Sequence, residues 1–489
     1  MDILLPAVAS DLVGRLFSFL IKKYQERGAT DTTIRLQRTL VRARVIVEEA
    51  EGRQIDNRAM LLQLNKLRQE LCRAGYALDA VRWRATDPSR SRRSRTMMSR
   101  SLSQTRPALS GDTFDVLPVM VETMEAALGD MREIVVLLNS CPRLTKQPYS
   151  AYLFLERCMF GRQMEKEEVI GFLLKPSQEL DVLPIIGPPD VGKRTLVEHV
   201  CLDERVRERF TEIHRLRSDE LDVDSHGNLS GSFDFTARSL IVIDIIDANT
   251  DAKESWRRFH SAIHDHTHRG TKIIIICRTE AHLRLGTVPP LRLHPPRREE
   301  LWYFFRALAF GAADPNERPD LLRIAMEMCD DGMGDLAPFR AANIVAASLG
   351  TADLSACSWR RVHKVYAEAT MLQLDVTGDD FDAVCYLCQP VKDTPGTPCL
   401  FYNGRKLTGV APSELPKVTM PELLTGSSLP LVGETRFDVL VWHSRIPPYV
   451  SYIATCDTST AHHQHVVALK KRLLNKRRRD HHEDIGNSN

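Results

Sequence analysis

Apolar positions in the first 140 residues recur in steps of three and four. Leu5, Val8, Leu12, Leu16, Phe19 and Leu20 form one stripe, and Leu36, Leu40, Ala43, Val47 and Ala50 a second. A third runs Leu61, Leu64, Leu67, Leu71, Ala74, Leu78 and Val81; a fourth runs Met120, Met124, Ala127, Met131, Ile134 and Leu138. This is the period of a helix with one apolar face, and four such helices can bury one another. The pattern therefore predicts a four-helix, coiled-coil-like bundle made of residues 1–85 and 112–140. Residues 86–111 interrupt it with arginines set among serines and little to bury, which predicts a disordered Arg/Ser loop. Two readings of that loop stand side by side. Phosphate on its serines could pair with the neighbouring arginines, or it is a solvated insertion with no dedicated partner.

Beyond residue 150 the period changes. Short β-branched runs, VLPII, SLIVIDII and TKIIIIC, alternate with helical stretches. Nearly continuous apolar strands separated by helices indicate a parallel α/β sheet buried on both faces, here over residues 150–290. Residues 291–350 return to helix, with RREELWYFFRALAFG and PDLLRIAMEMC as the clearest segments. Residues 351–460 begin with the helical SWRRVHKVYAEATMLQL. They continue as proline-interrupted strand candidates, and their periodicity assigns no known architecture. Residues 461–489 are a basic tail, expected to be disordered.

Length and composition narrow the class without naming a chemistry. A chain of 489 residues is too long for one compact core and suggests about three domains. With 66 basic residues against 64 acidic ones the net charge is only +2, so nothing global points to a specific nucleic acid or to an acidic membrane. Eleven scattered cysteines lack the spacing of a secreted framework and read as free thiols in a reducing compartment. The apolar start is broken by Asp11 and Arg15, which argues against a signal peptide or a membrane span. A cytoplasmic protein is expected, with the nucleus as a second location.

The strongest chemical signal lies between the first strand and the next helix. Gly187-Pro-Pro-Asp-Val191-Gly192-Lys193-Arg194-Thr195-Leu196 forms a glycine-bounded turn whose backbone N–H groups can converge on a phosphate. The helix N-terminus adds its positive end, and Lys193 supplies a point charge. In the usual loop a Ser or Thr follows the lysine and holds Mg2+, but Arg194 stands there. Thr195 is turned from that position by about a third of a helical circuit. Downstream, Leu240-Ile-Val-Ile-Asp244 fits a second strand whose terminal carboxylate is the natural Mg2+ partner. Ile245 occupies the place where a hydrolytic enzyme commonly carries another acid, so weak or absent hydrolysis is expected. The acid at Asp247 reads as a loop cap. Arg278 closes the third strand, where it could touch a γ-phosphate or form a surface ion pair.

These pieces, in this order, resemble the NB-ARC module of plant disease-resistance proteins of the coiled-coil type. Met159-Phe-Gly161-Arg162-Gln163 is similar to the family's short Gly-Arg-Glu motif, which the resemblance places on the adenosine side of the nucleotide. The segment Gly187 to Leu196 resembles its phosphate loop, Leu240 to Asp244 its second acidic strand, and Gly270 to Arg278 its sensor strand. Leu291-Arg-Leu and Arg298-Glu-Glu-Leu-Trp-Tyr-Phe-Phe are similar to its next helical segment. Tyr76-Ala-Leu-Asp79-Ala-Val81 takes the place of an acidic motif in the N-terminal bundle. The family's Gly-Leu-Pro-Leu element would fall near Gly332-Met-Gly-Asp-Leu-Ala-Pro338, where its order is scrambled, and no Met-His-Asp motif follows. No leucine-rich repeat of roughly 20 to 29 residues is present, so the chain resembles grass members that carry the coiled coil and NB-ARC alone.

The resemblance implies a switch in plant innate immune signalling that binds ADP or ATP. Its partners would be other coiled-coil immune receptors or a second copy of the chain. The rival reading is a nucleotide-independent adaptor or decoy that pairs with a full-length receptor through its coiled coil. Smaller constellations point elsewhere only weakly. Cys385-Tyr-Leu-Cys388 lacks a second pair for zinc, and His260, His264, His266 and His268 read as a polar helix surface. Trp302, Tyr303, Phe304 and Phe305 read as core of the helical segment rather than a ligand box. The basic run Lys470 to Arg479 could direct nuclear import, or be a solvated terminus.

Overall fold

The computed structural model describes residues 31–86, 113–143, 159–177, 179–218, 221, 237–245, 252–264, 268–311, 313–330, 333, 338–351, 355–373, 386–388, 399–425 and 435–457. The stripe from Leu5 to Leu20, nearly all of the Arg/Ser loop, Asp247, His266, Cys385 and the basic tail lie outside them. The chain divides into two compact units, residues 1–147 and 148–489.

In the first unit α1 covers residues 31–51, α2 Arg58–Thr86, α3 Thr113–Gly129 and α4 Arg132–Leu138. The predicted stripes are the buried faces. Leu36, Leu40, Ala43 and Ala50 are buried on α1, and Leu61, Leu67, Leu71, Ala74 and Leu78 on α2. The fourth stripe spans two helices rather than one, because the chain turns at Asp130 and Met131. Met124, Ala127, Met131, Ile134 and Leu138 stay buried across the break, so the apolar period outlasts the helix that was expected to carry it. Beyond the core, buried Arg53 donates to the carbonyls of Leu138 at 2.7 Å and Cys141 at 3.1 Å and pairs with Glu49 at 2.6 Å. It joins the end of α1 to the end of α4.

The second unit begins with α5, Gln163–Leu174. Five strands follow: β1 Asp181–Ile186, β2 Glu212–Arg217, β3 Ser239–Asp244, β4 Lys272–Cys277 and β5 Leu291–Arg292. They form one sheet in the order β2-β3-β4-β1-β5, with every neighbouring pair parallel. Between the strands lie α6 (Lys193–Cys201), α7 (Glu204–Arg209) and α8 (Ala252–His264). Successive residues of a strand face opposite sides. Accordingly Leu183, Ile185, Ile274 and Ile276 pack with Val169, Leu173, Leu196, Val197 and Val200 of α5 and α6. Val182, Ile186, Ile241, Ile273 and Ile275 pack with Trp256, Phe259 and Ile263 of α8. Both faces are covered, as the continuous apolar runs require.

Next come α9 (Arg298–Phe310), α10 (Pro319–Asp330), α11 (Pro338–Thr351) and α12 (Ala356–Gln373). The C-terminal tract, which periodicity left unassigned, is a four-stranded antiparallel sheet of β6 (Tyr386–Cys388), β7 (Cys399–Thr408), β8 (Arg436–His443) and β9 (Val450–Asp457). The strand order is β6-β7-β9-β8, with the short α13, Met420–Thr425, against it. Phe437, Val439, Val441, Ala454 and Cys456 bury against Met420 and Leu423, with Ile344 of α11 packed alongside.

Candidate functional site

Parallel pairing brings three strand ends to one edge. Asp244 aligns with Ile276 and Ile276 with Ile185, so the loop after β1, the carboxylate ending β3 and Arg278 after β4 share the C-terminal side of the sheet. Ligands of open α/β sheets bind at that edge. The chain leaves β1 at Gly187, turns through residues 188–192 and enters α6 at Lys193. The two loop glycines serve different needs. A Cβ on Gly187 would stand 2.5 Å from the Leu293 carbonyl oxygen, so only glycine fits beside the segment after β5. Gly192 has φ +95°, a left-handed conformation at the helix N-terminus that costs glycine little. Asp190 also has positive φ, +53°.

The Lys193 side chain folds over its own loop and donates to the carbonyls of Gly187 at 2.5 Å and Pro188 at 2.8 Å. It is 8% exposed, and burial, helped by the nearby Arg278 guanidinium, lowers its pKa to about 8. Arg194 leaves the first turn of α6 to ion-pair with Asp244. Arg162, just ahead of α5, pairs with Glu165 at 2.8 Å and donates to the carbonyls of Val191 and His294. It thereby joins the segment before α5 to the phosphate loop and to the chain beyond β5.

These residues open onto a cavity of about 860 Å3. One wall is the loop and sheet edge: Asp190, Val191, Gly192, Lys193, Arg194, Thr195, Asp244, Ile276 and Arg278. A second is helical, with Phe304 and Leu308 of α9 and Phe339, Arg340 and Asn343 of α11. The third is the β8–β9 hairpin, with Trp442, His443, Ser444, Arg445 and Tyr452. Phe160, Phe304 and Phe339 form an aromatic row, with ring centroids 5.2 and 5.3 Å apart. Arg340 crosses the walls, bonding Asp190 of the loop at 3.1 Å while its guanidinium lies 5.1 Å from the Tyr452 ring centroid.

Of the residues expected to meet a nucleotide, Arg162, Val191, Gly192, Lys193, Arg194, Thr195, Asp244 and Arg278 line this cavity. Gly161 adjoins it with φ +74°, and Gly187 shapes the turn from behind. Leu196 is a fully buried core side chain whose N–H bonds the Gly192 carbonyl at 2.9 Å, leaving it nothing to offer a ligand directly. The aromatic run of α9 divides: Trp302 and Phe305 are core, whereas Phe304 faces the cavity. Asp190, Phe339, Arg340 and the hairpin residues were missed. A signal existed for two of them, since Pro338 is a favoured helix opener and puts Phe339 and Arg340 in the first turn of α11. The hairpin residues reach the site only through the pairing of β9 with β7 and the packing of this sheet against α11.

The residues present do not fit a bound Mg2+ well. The post-lysine side chain is a donor-only guanidinium, and it already engages the β3 carboxylate. Among the described residues no group of three or more His, Cys, Asp or Glu gathers for a metal ion, and no helix is long and apolar enough to cross a membrane.

A glycine-bounded strand–loop–helix at the C-terminal edge of a five-stranded parallel sheet defines a P-loop-like α/β domain. Residues 8–105 match the Rx N-terminal domain family. The chain is 24% identical over 331 residues to disease resistance protein RGA2 of Solanum bulbocastanum, covering 62% of this chain and 33% of that protein. It is 30% identical over 203 residues to a disease resistance RPP13-like protein 1 of Arabidopsis thaliana, covering 39% of this chain and 19% of that one. These similarities are all to plant disease-resistance proteins and to the N-terminal domain of that kind. The chain spans a third or less of the length of these relatives. Looser overlaps occur with the Drosophila ORC bound to DNA (TM-score 0.33, 15% identity, 49% of this chain and 73% of that one). Another is with domain III of the Thermotoga maritima replication initiation protein DnaA (TM-score 0.30, 15% identity, 46% and 100%).

Proposed function

We propose that the chain is an ADP- or ATP-binding switch in plant defence signalling that hydrolyses its nucleotide slowly or not at all. The observation that carries this reading is the convergence of three walls on one phosphate loop. Six basic side chains, Arg162, Lys193, Arg194, Arg278, Arg340 and Arg445, line the cavity against two acids, Asp190 and Asp244, which suits an anionic ligand. The polar end, at Gly192, Lys193 and Thr195, would hold the phosphates. The aromatic row at Phe160, Phe304 and Phe339 would receive the base, since aromatic faces stack on any purine.

A ligand shared by three walls can bias their arrangement only if its two forms contact them differently. The extra phosphate of ATP would extend from the loop toward Arg278 and the Arg340–Asp190 pair, so ADP and ATP would favour different placements of α11 and the hairpin. Slow hydrolysis follows from Ile245, buried at 3% exposure where a catalytic acid would stand. The N-terminal unit would pair with other coiled-coil receptors or with a second copy, in the cytoplasm or in both cytoplasm and nucleus.

The rival adaptor reading also has an observation in its favour. Lys193 and Arg194 both have protein partners within the loop region, so the turn is electrostatically satisfied by the chain itself.

Titration calorimetry with ADP across pH separates the two. Lys193 attracts phosphate only as the ammonium, and its pKa of about 8 means it is charged at neutral pH and mostly neutral by pH 9. Affinity should be level up to pH 7.5 or so and about tenfold weaker at pH 9, one pH unit above that pKa, with proton uptake on binding. Binding indifferent to pH over this range would remove Lys193 from the phosphate site.

A further inference from the structure

Resting on the nucleotide reading of this cavity, we propose that Arg194 is a built-in cation of the phosphate site, so that nucleotide binding needs no divalent metal. A P-loop ordinarily places a hydroxyl after its lysine, and that oxygen joins a carboxylate across the site to hold Mg2+ against the phosphates. Here the same two positions are filled by Arg194 and Asp244, and they bond each other directly across fifty residues of sequence. A guanidinium has five N–H donors and no acceptor, so it cannot ligate a metal. Its charge also repels an approaching divalent ion, and the carboxylate that would offset this is engaged. Thr195 does not restore the hydroxyl, because it sits about a third of a helical turn away.

What remains can do the bridging that the metal would have done. The Arg194 side chain is 42% exposed toward the cavity while bound to Asp244, so part of its donor fork is left for a phosphate oxygen. Lys193 lies on the neighbouring residue, with its ammonium over the loop. The two cations would thus hold a diphosphate from adjacent sides, with Asp244 fixing the guanidinium plane. Planar, bidentate arginine suits that task better than a point charge does.

Calorimetry with ADP and ATP, in buffer containing Mg2+ and again in excess EDTA, tests this on the whole chain. The wild-type dissociation constants should agree within about twofold between the two buffers. Arg194→Ser should create metal dependence, binding about tenfold or more tightly with Mg2+ than with EDTA, whereas Arg194→Lys should keep the wild-type indifference. Wild-type binding weakened about tenfold by EDTA would overturn the inference while leaving the nucleotide reading intact. Binding absent in both buffers would overturn that reading and this inference with it. Should Arg194→Ser fail to fold, the wild-type comparison alone decides.

Discussion

Replacing Lys193 with alanine should weaken ADP and ATP binding by at least about a hundredfold, because the substitution removes the one ammonium placed inside the phosphate turn. The size follows from its setting. The side chain is 8% exposed, so its interaction with an anion is poorly screened, and a charge-assisted bond there contributes more than an exposed one. Alanine also leaves the Gly187 and Pro188 carbonyls without their donor, which loosens the turn that gathers the backbone N–H groups. Lys193→Arg should be nearly as damaging, since a planar fork does not fit a pocket shaped around a compact ammonium. Calorimetry at pH 7 measures both variants. Affinity within about threefold of wild type for Lys193→Ala would mean that the turn is not where phosphate binds.

The second large effect concerns stability. Trp302→Ala should lower the unfolding free energy of the second unit by about 3–5 kcal/mol, the cost of deleting a large buried aromatic side chain. Trp302 is 1% exposed and sits edge-on to Phe305 at 6.4 Å in the helical wall. The neighbouring Phe304, 5% exposed yet lining the cavity, serves both roles, so Phe304→Ala should lower stability and also weaken nucleotide binding. Denaturant unfolding followed by circular dichroism gives the first value. A loss below about 1 kcal/mol would show that the Trp302 ring is not part of a packed core.

Much of this arrangement is legible before any coordinates. β1, β3 and β4 are buried on both faces and so read as unbroken apolar runs, and the loop between β1 and α6 carries its own glycines and lysine. β2 is silent because it is an edge strand: in Glu212–Arg217 only Leu216 is buried, which leaves no run to notice. β5 is two residues long and carries no period at all. The break between α3 and α4 escapes because the apolar stripe continues across Asp130, and periodicity reports burial rather than hydrogen bonding. Alternation in Phe437, Val439 and Val441 marks β8 as a strand. That the β8–β9 hairpin joins β7 through β9 and walls the cavity are non-local facts that no short window of sequence contains.

Arg194 is the clearest case of a residue whose identity was readable and whose consequence was not. Its departure from the usual hydroxyl is visible at once, and on its own it suggests a damaged site. Only the ion pair with Asp244 indicates a substitution of one cation for another.

The nucleotide content of the purified protein tests the central claim most directly. Acid denaturation followed by chromatography of the supernatant should release an adenine nucleotide, chiefly ADP, in an amount comparable to the chain, and none from Lys193→Ala. A folded wild-type protein that releases no nucleotide, and takes up none when ADP is supplied, would contradict the account and favour the adaptor.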